Sequence, residues 1–165
     1  MAALRHDMTN FYFRALGGEA MFRSLTLMLL RISTGALLMI WGVVRFIQTD
    51  RAIGLSERFY FGLVSTPLMQ HVLGGLQIFI GAMVILGVFR RVFYPLQAVA
   101  LGLGGLAVWR SYIDPLGQFF GREGTNLLFF PSSTVFFATL VLIAFIDHDH
   151  WSIDKQTRRR RSGNA

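Results

Sequence analysis

Four apolar runs, each closed by charged or aromatic residues, divide the chain at Ser24–Ile47, Pro67–Phe89, Phe93–Tyr112 and Leu127–Ile146. At about 1.5 Å of rise per residue even the shortest covers about 30 Å, the thickness of a bilayer's hydrocarbon core. None contains Asp or Glu. The pattern predicts an all-α fold, an integral membrane antiparallel four-helix bundle. Only Arg90, Arg91 and Val92 separate the second run from the third, so those two helices form a hairpin.

Polar and small residues inside the runs fall at helical spacing. In the first, Arg31, Gly35, Leu38, Gly42 and Arg45 follow one another at steps of four, three, four and three, which puts two cations and two glycines on one stripe. An arginine at membrane depth faces a bundle interior, a wet cavity or an interface, and glycines in a stripe let another helix approach closely. In the second run Gly74, Gln77 and Gly81 make a similar face, and Pro67 stands where a helix tolerates it, at the first turn. In the third, Gln97, Gly104, Gly105, Val108 and Tyr112 share one side, and Asp114-Pro115 ends it. Pro131 comes early enough in the fourth for a kink to be tolerated. Residues 1–23 form an N-terminal segment that is either amphipathic and interfacial or frayed at Gly17-Gly18. Residues 24–151 are the membrane domain. Residues 152–165 are a basic tail, with Arg158–Arg161 lying on headgroups or disordered.

The chain of 165 residues is 53% hydrophobic and 15% charged, with a mean hydropathy of +0.50, which fits one small membrane domain. It has no cysteine, which excludes thiol chemistry and iron–sulfur ligation by this chain alone. The net charge of +7 sits at membrane edges and in the tail without a nucleic-acid-binding motif, so the partner it implies is the lipid bilayer and not nucleic acid. Basic residues also set orientation. Arg5, Arg14, Arg23, Arg90, Arg91, Lys155 and Arg158–Arg161 lie on the side of the termini, against Arg51, Arg58 and Arg122 opposite. The expectation is a multi-pass protein with both termini in the cytoplasm and the loop at residues 50–65 outside.

The outer end then gathers the candidate chemistry: Arg45, His71, Gln77, Trp109, Arg110 and Asp114. Cations and an imidazole at this depth either bind an anion or a quinone headgroup, stabilising charge that develops on its oxygen, or they snorkel to headgroups with His71 facing water. Arg31 either snorkels to the cytoplasmic headgroups or bonds carbonyls or Gln97 inside the bundle. Haem ligation needs two facing imidazoles, and His71 is the one histidine within a run. Asp147-His148-Asp149-His150 has metal-ligand types, yet it reads as a solvated helix exit anchored by Trp151. No catalytic residue is assigned.

LLRISTGALLMIWGVVRF followed by GGLQIFIGAMVILGVFRR resembles the first two helices of the DoxX/DoxD-like family of small four-helix bacterial membrane proteins. Leu30-Arg31 with Gly35, the Gly42 to Arg45-Phe46 end and the Gly75, Gly81, Leu86 to Arg90 stretch carry the resemblance, which spans about residues 27–112. That family commonly has an acidic residue before the glycines of helix two; here His71 and Gln77 are the nearest polar residues. The resemblance implies a protein of the bacterial cytoplasmic (inner) membrane, the membrane subunit of a quinone- or sulfur-linked or oxidative-stress redox system. It would have no intrinsic cofactor, quinone as its ligand, and a membrane or soluble redox protein as partner. The alternative is a structural or assembly subunit that packs its glycine faces against another membrane protein.

Overall fold

The computed structural model describes residues 2–114 and 130–157, with side chains for 17–109, 112–114 and 133–157. Among these residues the chain is helical, without a strand: α1 (Ala2–Ile47), α2 (Thr49–Phe59), α3 (Pro67–Leu86), α4 (Arg90–Ala107), α5 (Trp109–Ile113) and α6 (Phe130–Ala144), then a 3-10 turn at Ile146–His148. Two helices are long and apolar enough to cross a membrane, over Gly17–Ile47 and Pro67–Leu86.

The pairing of α1 with α3 follows from their glycines. A Cβ added to Gly35 would stand 2.8 Å from the carbonyl oxygen of Gly81, and one on Gly42 would stand 2.6 Å from that of Gly74. The clash is reciprocal, since a Cβ on Gly81 or Gly74 would meet the carbonyl of Gly35 or Gly42 at 2.6 and 2.8 Å. Gly35 facing Gly81 and Gly42 facing Gly74 is the register of two antiparallel helices whose backbones touch, a separation that only glycine permits.

α3 begins on Thr66, whose side chain accepts from Met69 N at 3.4 Å, with Pro67 in the first turn. It ends at Gly87, whose φ of +67° closes the helix in the left-handed conformation that glycine adopts without strain. The sharp turn that follows sends α4 back along α3, with Phe79 and Phe93 edge to face at 5.6 Å. α4 packs on α6, where Gly102 receives the ring of Phe136 and Gln97 Nε2 donates to Thr139 Oγ1 at 3.5 Å. α6 returns to α1, so α1, α3, α4 and α6 contact one another in a cycle around Leu27, Leu38, Ile80, Val84, Tyr94 and Leu142.

Four expectations change. The N-terminal segment is not set off at Gly17-Gly18, because α1 is continuous from Ala2 to Ile47. The loop at 50–65 contains a helix, α2, tied down by Ser56: its carbonyl accepts from Tyr60 N and Gly62 N, and its hydroxyl from Val64 N at 3.1 Å. The third run breaks at Val108 into α4 and α5. The C-terminal tail does not start at 152, since Ser152 is fully buried and Asp154 N donates to Gly87 O at 3.3 Å. The start of the fourth run at Leu127, the outer Arg122 and the Arg158–Arg161 run lie outside the described residues.

Candidate functional site

The arginine stripe of α1 ends in two different environments. At one end Arg45 is half-buried, and its guanidinium is held by two amides of α3: Nε donates to Gln77 Oε1 at 2.9 Å and Nη1 donates to Gln70 Oε1. Gln70 is fully buried, and its own amide nitrogen donates to Ala52 O at 3.1 Å and Val64 O at 2.7 Å. One glutamine therefore fixes the arginine and pins α2 with the loop behind it. Among the described residues Nη2 of Arg45 has no partner and Arg45 has no ion-pair partner. His71 lies beside this group: its ring stacks on Phe46 at 5.1 Å, and its Nε2 is 3.2 Å from the hydroxyl of Thr49. Tyr60 is also near, and burial pushes its phenol above the ordinary value of 10 while the Arg45 cation opposes the shift.

At the other end Arg31 is 4% exposed and faces a carboxylate. Arg31 Nη1 is 3.0 Å from Asp149 Oδ2, and the same oxygen accepts from Tyr94 OH at 2.8 Å and lies 3.7 Å from Arg90 Nη1. Arg90 Nη1 also donates to the carbonyls of Ile146 and Asp149, at 2.7 and 3.1 Å. Asp154 Oδ2 accepts from Arg90 N at 3.0 Å, which supplies the helix cap that the side chain of Phe89 does not. Two arginines, a tyrosine and two aspartates thus hold residues 146–154 against the α3–α4 turn.

Of the two expectations for Arg31 the inward one holds: it does not snorkel, and it bonds a carbonyl rather than Gln97, Nη2 donating to Trp151 O at 3.4 Å, while Asp149 neutralises its charge. Asp149 is not solvated at a helix exit, and it is turned away from any ligand set with His148 and His150. Among the described residues no group of three or more histidine, aspartate or glutamate side chains is placed to hold a metal ion.

Of the residues expected at the outer end, Arg45 and Gln77 are bonded to each other and His71 adjoins them through Thr49 and Phe46. Trp109 is 46% exposed on α5 and Asp114 is buried after it. The Arg110 side chain lies outside the described residues. Gln70 was missed, although it extends the Gly74, Gln77, Gly81 face by one step of four. Arg90, Tyr94 and Asp149 were missed because the contacts that join them to Arg31 are long in sequence, and nothing local signals them.

No protein-family model, curated protein or solved structure matches the chain.

Proposed function

We propose that this is a DoxX-like integral membrane protein of the cytoplasmic membrane. Its four helices span the bilayer with both termini inside, and its outer end holds the oxygen of a quinone headgroup or small anion for a redox system. The helix surfaces support the membrane part. Only 33% and 28% of the most apolar windows of α1 and α3 are buried, and Ile40, Val43, Val72, Phe79, Val99, Leu103, Phe137 and Val141 stand exposed. Core helices of a soluble protein bury such faces; helices in lipid do not.

The observation that carries the site is the state of Arg45. Two neutral carbonyls orient its guanidinium without cancelling its charge, and Nη2 remains as a donor. A carbonyl or anionic oxygen placed there accepts a charge-assisted hydrogen bond, and that bond strengthens as negative charge develops during reduction. A partner protein supplies the electrons, because the side chains at this end are not themselves redox-active. The alternative, a subunit that docks through its glycine stripes, has less to work with, since those stripes face each other inside the chain.

The test is solvent extraction of the full chain purified in mild detergent, with ubiquinone and menaquinone quantified against an unrelated membrane protein treated alike. Wild type should retain quinone above that background. Arg45→Ala should lose about tenfold or more, and Arg45→Lys should recover part of it, because a point charge replaces a fork. Background levels in all three would remove the quinone reading.

A further inference from the structure

We propose that the end of the protein opposite Arg45 carries a binding site for the headgroup of an amine-bearing phospholipid, phosphatidylethanolamine. A cleft of about 140 Å³ opens there, lined by Glu19, Ala20 and Arg23 of α1 and by His148 and His150. That volume suits a headgroup and is well below the several hundred Å³ of a site for a whole drug-sized ligand.

The cleft has a fixed wall. Asp149 points inward to Arg31 and Tyr94, and Ser24 Oγ donates to His148 O at 3.3 Å, so the two histidines flanking Asp149 are held across from α1. Its depth is set by the apolar belt. Glu19 and Arg23 immediately precede the run that starts at Ser24, the histidines follow α6, and the exposed rings of Phe22 and Phe145 flank the site. With the membrane placement proposed above, on which this inference rests, the cleft lies at the level of the lipid phosphates.

Its charge selects among headgroups. Arg23 and Glu19 form an exposed pair at 3.5 Å, so the cleft presents one cation and one anion beside two imidazoles. A bare anion meets Glu19, and a bare cation meets Arg23. A zwitterion with a phosphate and a primary ammonium satisfies both: the phosphate takes Arg23 and the imidazoles, and the ammonium donates to Glu19. The quaternary amine of phosphatidylcholine has no N–H to donate, and phosphatidylglycerol has no ammonium.

The experiment is native mass spectrometry of the full chain titrated with phosphatidylethanolamine, phosphatidylcholine and phosphatidylglycerol of matched acyl chains. Phosphatidylethanolamine should be retained about three- to tenfold over the other two. Glu19→Gln should bring it down to the phosphatidylcholine level, while Arg23→Gln lowers all three. Both side chains are exposed, so unchanged melting temperatures should confirm that the variants remain folded. Equal retention of the three lipids, or a Glu19→Gln variant that keeps its preference, overturns this proposal alone. Arg45→Ala should leave lipid retention unchanged. Release of the protein from membranes by alkaline carbonate without detergent would sink the membrane reading and the headgroup site together.

Discussion

Arg31 and Arg45 lie on one stripe of one helix, fourteen residues apart, and are held in opposite ways. Arg31 is enclosed and paired with a carboxylate from a segment 118 residues away; Arg45 is half-open and held by neutral amides from the neighbouring helix. A buried ion pair is costly to break, because removal of one partner leaves a charge in a low-dielectric interior. An arginine held by amides keeps its full charge for something else. The same residue type therefore serves architecture at one end of α1 and, in the function proposed above, recognition at the other, and the partner's charge decides which.

The largest effect that bears on this contrast should come from Asp149→Ala. It strips Arg31 and Arg90 of their shared counterion and leaves Tyr94 OH without its acceptor, at a cost of about 3–5 kcal/mol. Thermal unfolding in detergent should register this loss. Adding Arg31→Ala should cost less than the sum of the two single changes, because the pair is coupled.

Between the two ends, Gly81→Ala should destabilise by roughly 1–3 kcal/mol, because its methyl group meets the Gly35 carbonyl and Met39 on a surface that has no slack. Gly75→Ala, where a Cβ meets nothing within 4 Å, is the matched control and should be neutral. Equal melting points for the two variants would mean that α1 and α3 do not touch through Gly35 and Gly81.

At the open end the response should be local. Gln70→Leu removes one of the two supports of Arg45 and leaves the carbonyls of Ala52 and Val64 without their donor, so α2 loosens while the long helices hold. The chain has no cysteine, so a single Ala52→Cys can report on it. Thiol labelling at that position should quicken in the Gln70→Leu background. An unchanged rate would mean that α2 is held without Gln70.

These residues also mark how far the chain could be read before the fold was known. The glycine stripes were legible because spacing of three and four residues is a local signal, and both stripes belong to helices whose apolar runs define them. The start of α3 at Pro67 was legible for the same kind of reason, whereas its cap, Thr66, was not picked out. The hidden parts are those in which a residue is placed by distant chain. Asp149 sits among Asp and His residues that look solvated, and only the return of 146–154 onto the α3–α4 turn buries it. α2 was hidden by its own composition, because Asp50, Arg51, Glu57 and Arg58 outweigh the few side chains that face inward. Gln70 was legible in principle, one step before Gly74 on a face already identified.

The smallest effect concerns pH. Burial raises the Tyr60 phenol above its ordinary value of 10. The folded state therefore holds that proton more tightly than the unfolded chain does. The associated stability is fully present below about pH 10 and is lost as the pH rises through the folded value. Tyr60→Phe should flatten that alkaline limb and leave stability at neutral pH nearly unchanged. A limb of unchanged steepness would place its origin in other groups.

The most direct measurement of the contrast itself is a side-by-side comparison of Arg31→Gln and Arg45→Gln, scored for folded protein in the membrane and for quinone retained per folded molecule. Arg31→Gln should lower the amount of folded protein and leave retention per folded molecule unchanged. Arg45→Gln should leave the amount of folded protein near wild type and lose the quinone. The reverse pattern, or equal losses by both measures in both variants, would contradict the division of the stripe into a structural arginine and a recognition arginine.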